Sequence, residues 1–160
     1  MTNPTRSTAC FLVALFLSAA AVDSVALADD DEAWKKLPPG PIRDRIELME
    51  KIGADAKAIN DAIKAGTPAE AAAPADNIVS LMPKFDALFP EGSTAEESRA
   101  KKNIWAAWDE FEAFSSYLKD AASEVATAAR DGGDVKAASR KMFKSCKSCH
   151  KKFRLPKDDE

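Results

Sequence analysis

The chain has 160 residues, with 23 lysines and arginines against 26 aspartates and glutamates, one histidine and three cysteines. A net charge of −3 argues against a general nucleic-acid binder, and this length suits a single domain around one core. No metal site or proton relay can draw on more than one imidazole, that of His150.

The first segment reads as an export signal. Arg6 precedes an apolar run from Cys10 to Val22, and Ala26-Leu27-Ala28 offers a small-x-small cleavage site, so residues 1–28 are expected to be removed and Asp29 to start the mature protein. The run is too short to span a bilayer comfortably, and nothing later is apolar for long enough. Cys10 precedes most of the run and does not have the placement of a lipid-attachment cysteine. The expected location is the periplasm, an oxidising compartment.

Asp29-Asp30-Asp31-Glu32 is expected to be a loose, solvated start. Pro38, Pro39 and Pro41 then impose an extended entry into a first helix beginning near residue 41, with the stripe Ile42, Ile46, Met49, Ile52, Ala56, Ile59 and Ile63 and an end at Gly66. An Ala-rich connection leads to a second helix from about Asp76 to Leu88, kinked or broken at Pro83, with Ile78, Leu81, Phe85 and Leu88 inward. After the turn-rich Phe89–Ser93 stretch, a third helix starts between Glu96 and Asn103 and runs to about Arg130. Its stripe is Ile104, Trp108, Phe111, Tyr117 or Leu118, Ala121, Ala122 and Val125, with Trp105 and Phe114 flanking. These aromatic rings fill a core and also suit the wall of a flat cofactor.

Asp131-Gly132-Gly133 breaks the chain, and Asp134 is a good N-cap for a fourth helix carrying Val135, Ala138, Met142, Phe143 and Cys146. No two-residue alternation occurs, so the predicted fold class is all-α: an antiparallel four-helix bundle, residues 29–160 forming one domain.

The last helix ends in Cys146-Lys147-Ser148-Cys149-His150. The C-x-x-C-H spacing lets two thiols reach both vinyl groups of one porphyrin while the next imidazole meets the iron, which predicts one covalently bound haem c on Cys146 and Cys149 with His150 as ligand. A dithiol redox pair wants a βαβ context that is missing. A zinc site is a ligand short, since no other Cys or His remains in the mature chain.

The sixth iron position then decides the function, and three methionines could fill it. Met142 lies on the same helix, about 12 Å along the axis at 1.5 Å per residue, and cannot reach the far haem face. Met82, before Pro83, reads as packing. Met49, on the stripe of the first helix, reads as core by itself and as the axial candidate beside a haem that lacks a sixth ligand.

The C-terminal Cys146-x-x-Cys149-His150-x-x-Phe153-Arg154, the Leu88–Ser93 loop, Ile104-Trp105 and Arg45-x-x-x-Met49-x-x-x-Gly53 together resemble the class II cytochromes c, the cytochrome c′ family, across essentially the whole mature chain. The resemblance implies a haem iron whose far side is either vacant and shielded, as in gas-binding members, or ligated by a Met at the position of Met49, as in low-spin members. Arg45-x-x-x-Met49 looks like the low-spin pattern, which implies a His150/Met49 carrier of single electrons, with an NO- or CO-binding five-coordinate haem as the alternative. The resemblance also places Arg45 and Arg154 close to the haem, at its propionates or its proximal side, and implies a homodimer through the first two helices.

The last helix and its extension carry Lys136, Arg140, Lys141, Lys144, Lys147, Lys151, Lys152, Arg154 and Lys157, a surface suited to an acidic redox partner or to plain solvation. No nucleophile with a base and no phosphate loop is evident, so no enzymatic activity is expected.

Overall fold

The computed structural model describes residues 30–156, and the predicted export signal and Lys157 lie outside them. A 3₁₀ helix spans Asp30–Lys36, where a loose acidic start was expected. Helix α1 runs Pro41–Ala65 and stops where the sequence places its end. Gly66 adopts φ 77°, and the N–H groups of Gly66 and Thr67 close on the carbonyls of Ile63 and Ala62.

The buried line of α1 is rotated from the predicted one. It consists of Arg45, Leu48, Ile52, Ile59 and Ala62, whereas Ile42, Ile46, Met49, Ala56 and Ile63 are half-buried on its flank. The apolar face is broad, and the neighbouring helices select its centre. A guanidinium enters that centre because a loop supplies its acceptors.

A 3₁₀ turn, Pro68–Ala71, leads into α2, Ala72–Leu81. The helix starts earlier than predicted because alanines favour it and Pro74, in the first turn, sacrifices no needed N–H. It also ends earlier: around Pro83 the chain tightens into 3₁₀ turns at Met82–Lys84 and Asp86–Leu88. The single helix expected to reach Leu88 is therefore a helix followed by two turns.

The predicted third helix is likewise divided. A 3₁₀ turn at Glu96–Ser98 and the short α3, Asn103–Ala106, precede a break at Ala107, after which α4 runs Trp108–Asp131. Leu118 is inside and Tyr117 is 51% exposed, which decides between the two stripe candidates. Gly132, at φ 70°, ends α4, and Asp134 accepts a hydrogen bond from the Ala137 N–H to cap α5, Val135–Phe153.

Packing closes a ring, with α1 against α2, α2 against α4, α4 against α5 and α5 against α1. The result is the four-helix bundle read from the sequence, with an isolated β-bridge between Ala100 and Arg154 and no β-strand among the described residues. Ile59, Ile78, Ile104, Val125 and Met142 are its most deeply buried large side chains. Met142 and Met82 thus have the packing roles expected of them. Among the described residues no helix is long and apolar enough to cross a membrane.

Candidate haem-attachment site

Helix α5 places Cys146 and Cys149 one turn apart and His150 beside them. The two cysteines form no disulfide with each other, both are half-buried, and both side chains pack against the core. Burial raises the pKa of Cys146, and burial with the neighbouring Cys146 pushes Cys149 up to about 11. Burial, followed by the charges of Arg154 and Arg99, lowers His150 to about 4. The imidazole is therefore neutral near pH 7, as an iron ligand must be. Among the described residues no three Cys, His, Asp or Glu side chains are grouped so as to hold a metal ion jointly.

The turn that carries His150 is clamped by residues 99–103. The Lys101 N–H donates to the Phe153 carbonyl at 2.9 Å and the Leu155 N–H to the Arg99 carbonyl at 2.7 Å, on either side of the Ala100–Arg154 bridge. Lys101 Nζ reaches the Lys151 carbonyl at 3.2 Å and Asn103 Nδ2 the Lys152 carbonyl at 3.3 Å. Arg99 Nη2 donates to the Leu155 carbonyl at 2.7 Å. The last carbonyls of a helix have no partners within it, and this loop supplies them for α5. Arg99 holds φ 53°, a left-handed conformation costing about 1–2 kcal/mol, which the two-sided attachment to Leu155 sustains.

Arg45 is 2% exposed. Its Nη2 donates to the Ser93 carbonyl at 2.7 Å and to Ser98 Oγ at 2.5 Å, its Nη1 to Ser93 Oγ at 2.9 Å, and its guanidinium carbon lies 4.8 Å from the Phe89 ring centroid. Burial lowers its pKa to about 10, so it stays charged at neutral pH. Among the described residues its hydrogen-bond acceptors are neutral oxygens, from Leu88, Ser93 and Ser98. Met49, one turn further along α1, is half-buried and packs against the core, on a helix that contacts α5.

The aromatic residues meet around Phe111. Its ring centroid is 5.5 Å from Phe85, 4.7 Å from Phe89, 5.5 Å from Trp108 and 5.4 Å from Phe153 on α5. Trp105 Nε1 donates to the Phe89 carbonyl. The sequence pointed to the α4 rings and to Arg45 but missed Arg99, Asn103 and Ser98, polar residues in a loop whose roles exist only once α5 lies beside them.

Paired cysteines on one helix face, a neutral imidazole next to them and apolar packing around them fit a haem. A family model described as cytochrome C′ matches residues 40–154. The chain belongs to the cytochrome c′ family. It is 33% identical over 122 residues to cytochrome c′ of Pararhodospirillum photometricum, which covers 73% of this chain and 98% of that protein. A solved cytochrome c′ with ligand-controlled dimer dissociation superposes with a TM-score of 0.67 at 23% identity, covering 75% of this chain and all of that one. A ferrous variant of cytochrome c′ from Alcaligenes xylosoxidans with bound NO superposes with a TM-score of 0.65 at 19% identity, covering 76% and 100%. Like its family, the protein carries one haem attached covalently through cysteines.

Proposed function

We propose that this is a periplasmic haem protein that binds a diatomic ligand, NO or CO, in which Cys146 and Cys149 would hold the haem, His150 would ligate its iron and Met49 would act as a shield. Membership in a family that is typically five-coordinate carries this reading. It favours the gas-binding alternative over the His150/Met49 electron carrier expected from Arg45-x-x-x-Met49. The NO-bound structural relative supports the same choice.

The bound haem supplies an iron that, when ferrous, accepts a neutral diatomic ligand. The chain supplies the rest. Cys146 and Cys149 anchor the macrocycle to α5, and the buried surroundings keep the His150 imidazole unprotonated. Arg45 presents a desolvated positive charge suited to a propionate, and Arg154 adds positive charge on the proximal side. Met49, half-buried and apolar, crowds the ligand's side without an acidic or hydrogen-bonding group. A redox partner protein would supply the electron that keeps the haem ferrous, and the chain would pair with a second copy, a pairing that the dimer among its relatives supports and that the resemblance places on α1 and α2. The proposed role is binding rather than catalysis.

An optical spectrum of the full holoprotein tests the reading. The ferric form is expected to be high-spin without a Met-to-iron charge-transfer band, and the reduced form to bind CO. A charge-transfer band together with a CO-inert ferrous form would return Met49 to the role of ligand and the protein to that of electron carrier.

A further inference from the structure

Helix α5 holds seven lysines and arginines and no carboxylate among its 19 residues, in a chain of net charge −3. Glutamates of α4 neutralise two of the seven: Lys141 Nζ lies 2.7 Å from Glu124, and Lys152 pairs with Glu110. The side chains of Lys136, Arg140, Lys144, Lys147 and Lys151 are exposed and have no ion-pair partner among the described residues. At 3.6 residues per turn these five fall within an arc of about 80°, and at 1.5 Å per residue they form a stripe about 22 Å long. Cys146 and Cys149 leave the same helix on its core side. The stripe is thus the solvent face of the haem-bearing helix, one helix diameter, about 10 Å, from the cofactor side.

We propose that this stripe is the docking surface for an acidic protein that donates one electron to the haem. The inference rests on the gas-binding reading, which needs ferrous iron. The donor loses one electron and the iron passes from ferric to ferrous, with no bond made or broken. Charge complementarity selects the partner, since five uncompensated cations in a row attract a carboxylate-rich surface and speed encounter. An anionic membrane fits less well: binding flat on lipid requires an apolar face turned outward, and every exposed residue of α5 is Lys, Arg or Ser.

The test is stopped-flow reduction of the ferric holoprotein by reduced flavodoxin, used as an acidic protein donor. The second-order rate constant is expected to fall at least about tenfold from low salt to about 1 M, where the Debye length is about 3 Å. The double variant Arg140→Glu/Lys144→Glu should lose about tenfold at low salt, Arg140→Gln/Lys144→Gln should lie between, and Lys64→Glu on α1 should match the unsubstituted protein. A rate indifferent to salt, or an Arg140→Glu/Lys144→Glu variant no slower than Lys64→Glu, overturns the proposal. Co-sedimentation with phosphatidylglycerol vesicles that the charge-reversed variant loses would overturn it in favour of lipid. CO binding by the same proteins after chemical reduction separates the two readings: its absence sinks gas binding, whereas a flat salt dependence sinks only the docking surface.

Discussion

At Arg45 a charge sits where an apolar stripe would place a leucine, and the structure makes it the pin of the Leu88–Ser98 loop. Arg45→Met keeps the length but strands the Ser93 and Ser98 oxygens, and should destabilise the holoprotein by about 3 kcal/mol in chemical denaturation. Met49 is a different case, because its proposed work is steric. Met49→Ala should leave the ferric spectrum high-spin and raise the rate of CO binding to the ferrous protein in flash photolysis. A variant that changes from low-spin to high-spin would instead reveal a ligand lost. Asp86 tests burial of a charge: desolvation, the largest cause, and Glu112 raise its pKa against a hydrogen bond from Ser115, and its Oδ1 has no partner. A raised native pKa means the fold binds the proton more tightly than the unfolded chain does. Stability from this group is therefore full below its ordinary range and declines as pH rises through the raised value. Asp86→Asn should remove that decline and raise Tm at neutral pH, read by thermal melts from pH 4 to 8.

At the scale of elements, helix ends decide more than helix bodies. The body of α4 was legible as a stripe, since Phe111, Leu118, Ala122 and Val125 recur at helical spacing and all are buried. Its start was not, because the break at Ala107 carries no sequence signal and follows from how α3 seats Ile104 in the core. The C-terminus of α5 depends on residues 99–103, fifty positions away. Arg99→Gly relieves the left-handed backbone but removes the guanidinium's bonds to Leu155. It should leave haem attachment intact yet shift the iron–histidine stretching band in the resonance Raman spectrum of the ferrous protein, whereas an unchanged band would make the clamp merely structural.

For the molecule as a whole, Phe111 joins three parts of the chain, touching Phe85 and Phe89 before α3 and Phe153 after His150. The aromatic density of α4 was visible in the sequence, but the convergence of those rings on the haem-bearing helix depends on the α4–α5 packing. Exposed large apolar side chains among the described residues are Tyr117 and Leu155, neither on α1 or α2. The proposed dimer through α1 and α2 must therefore use their half-buried flanks, and sedimentation velocity of the holoprotein should show it weakened by Ile46→Glu on the flank of α1.

The cofactor and its two cysteine anchors were legible in the sequence alone, and His150 was its candidate proximal ligand, because C-x-x-C-H is a local geometry that a helix realises. The sequence also determined the bundle, because four amphipathic segments joined by Gly- and Pro-marked turns have few other ways to bury their faces. The packed structure was needed to show which side of α1 is the core, why Arg45 can be buried in it, what completes the end of α5, and which cations of α5 have no ion-pair partner among the described residues. Each of these depends on partners forty or more residues away or on a neighbouring helix, and no periodicity within a single segment encodes them.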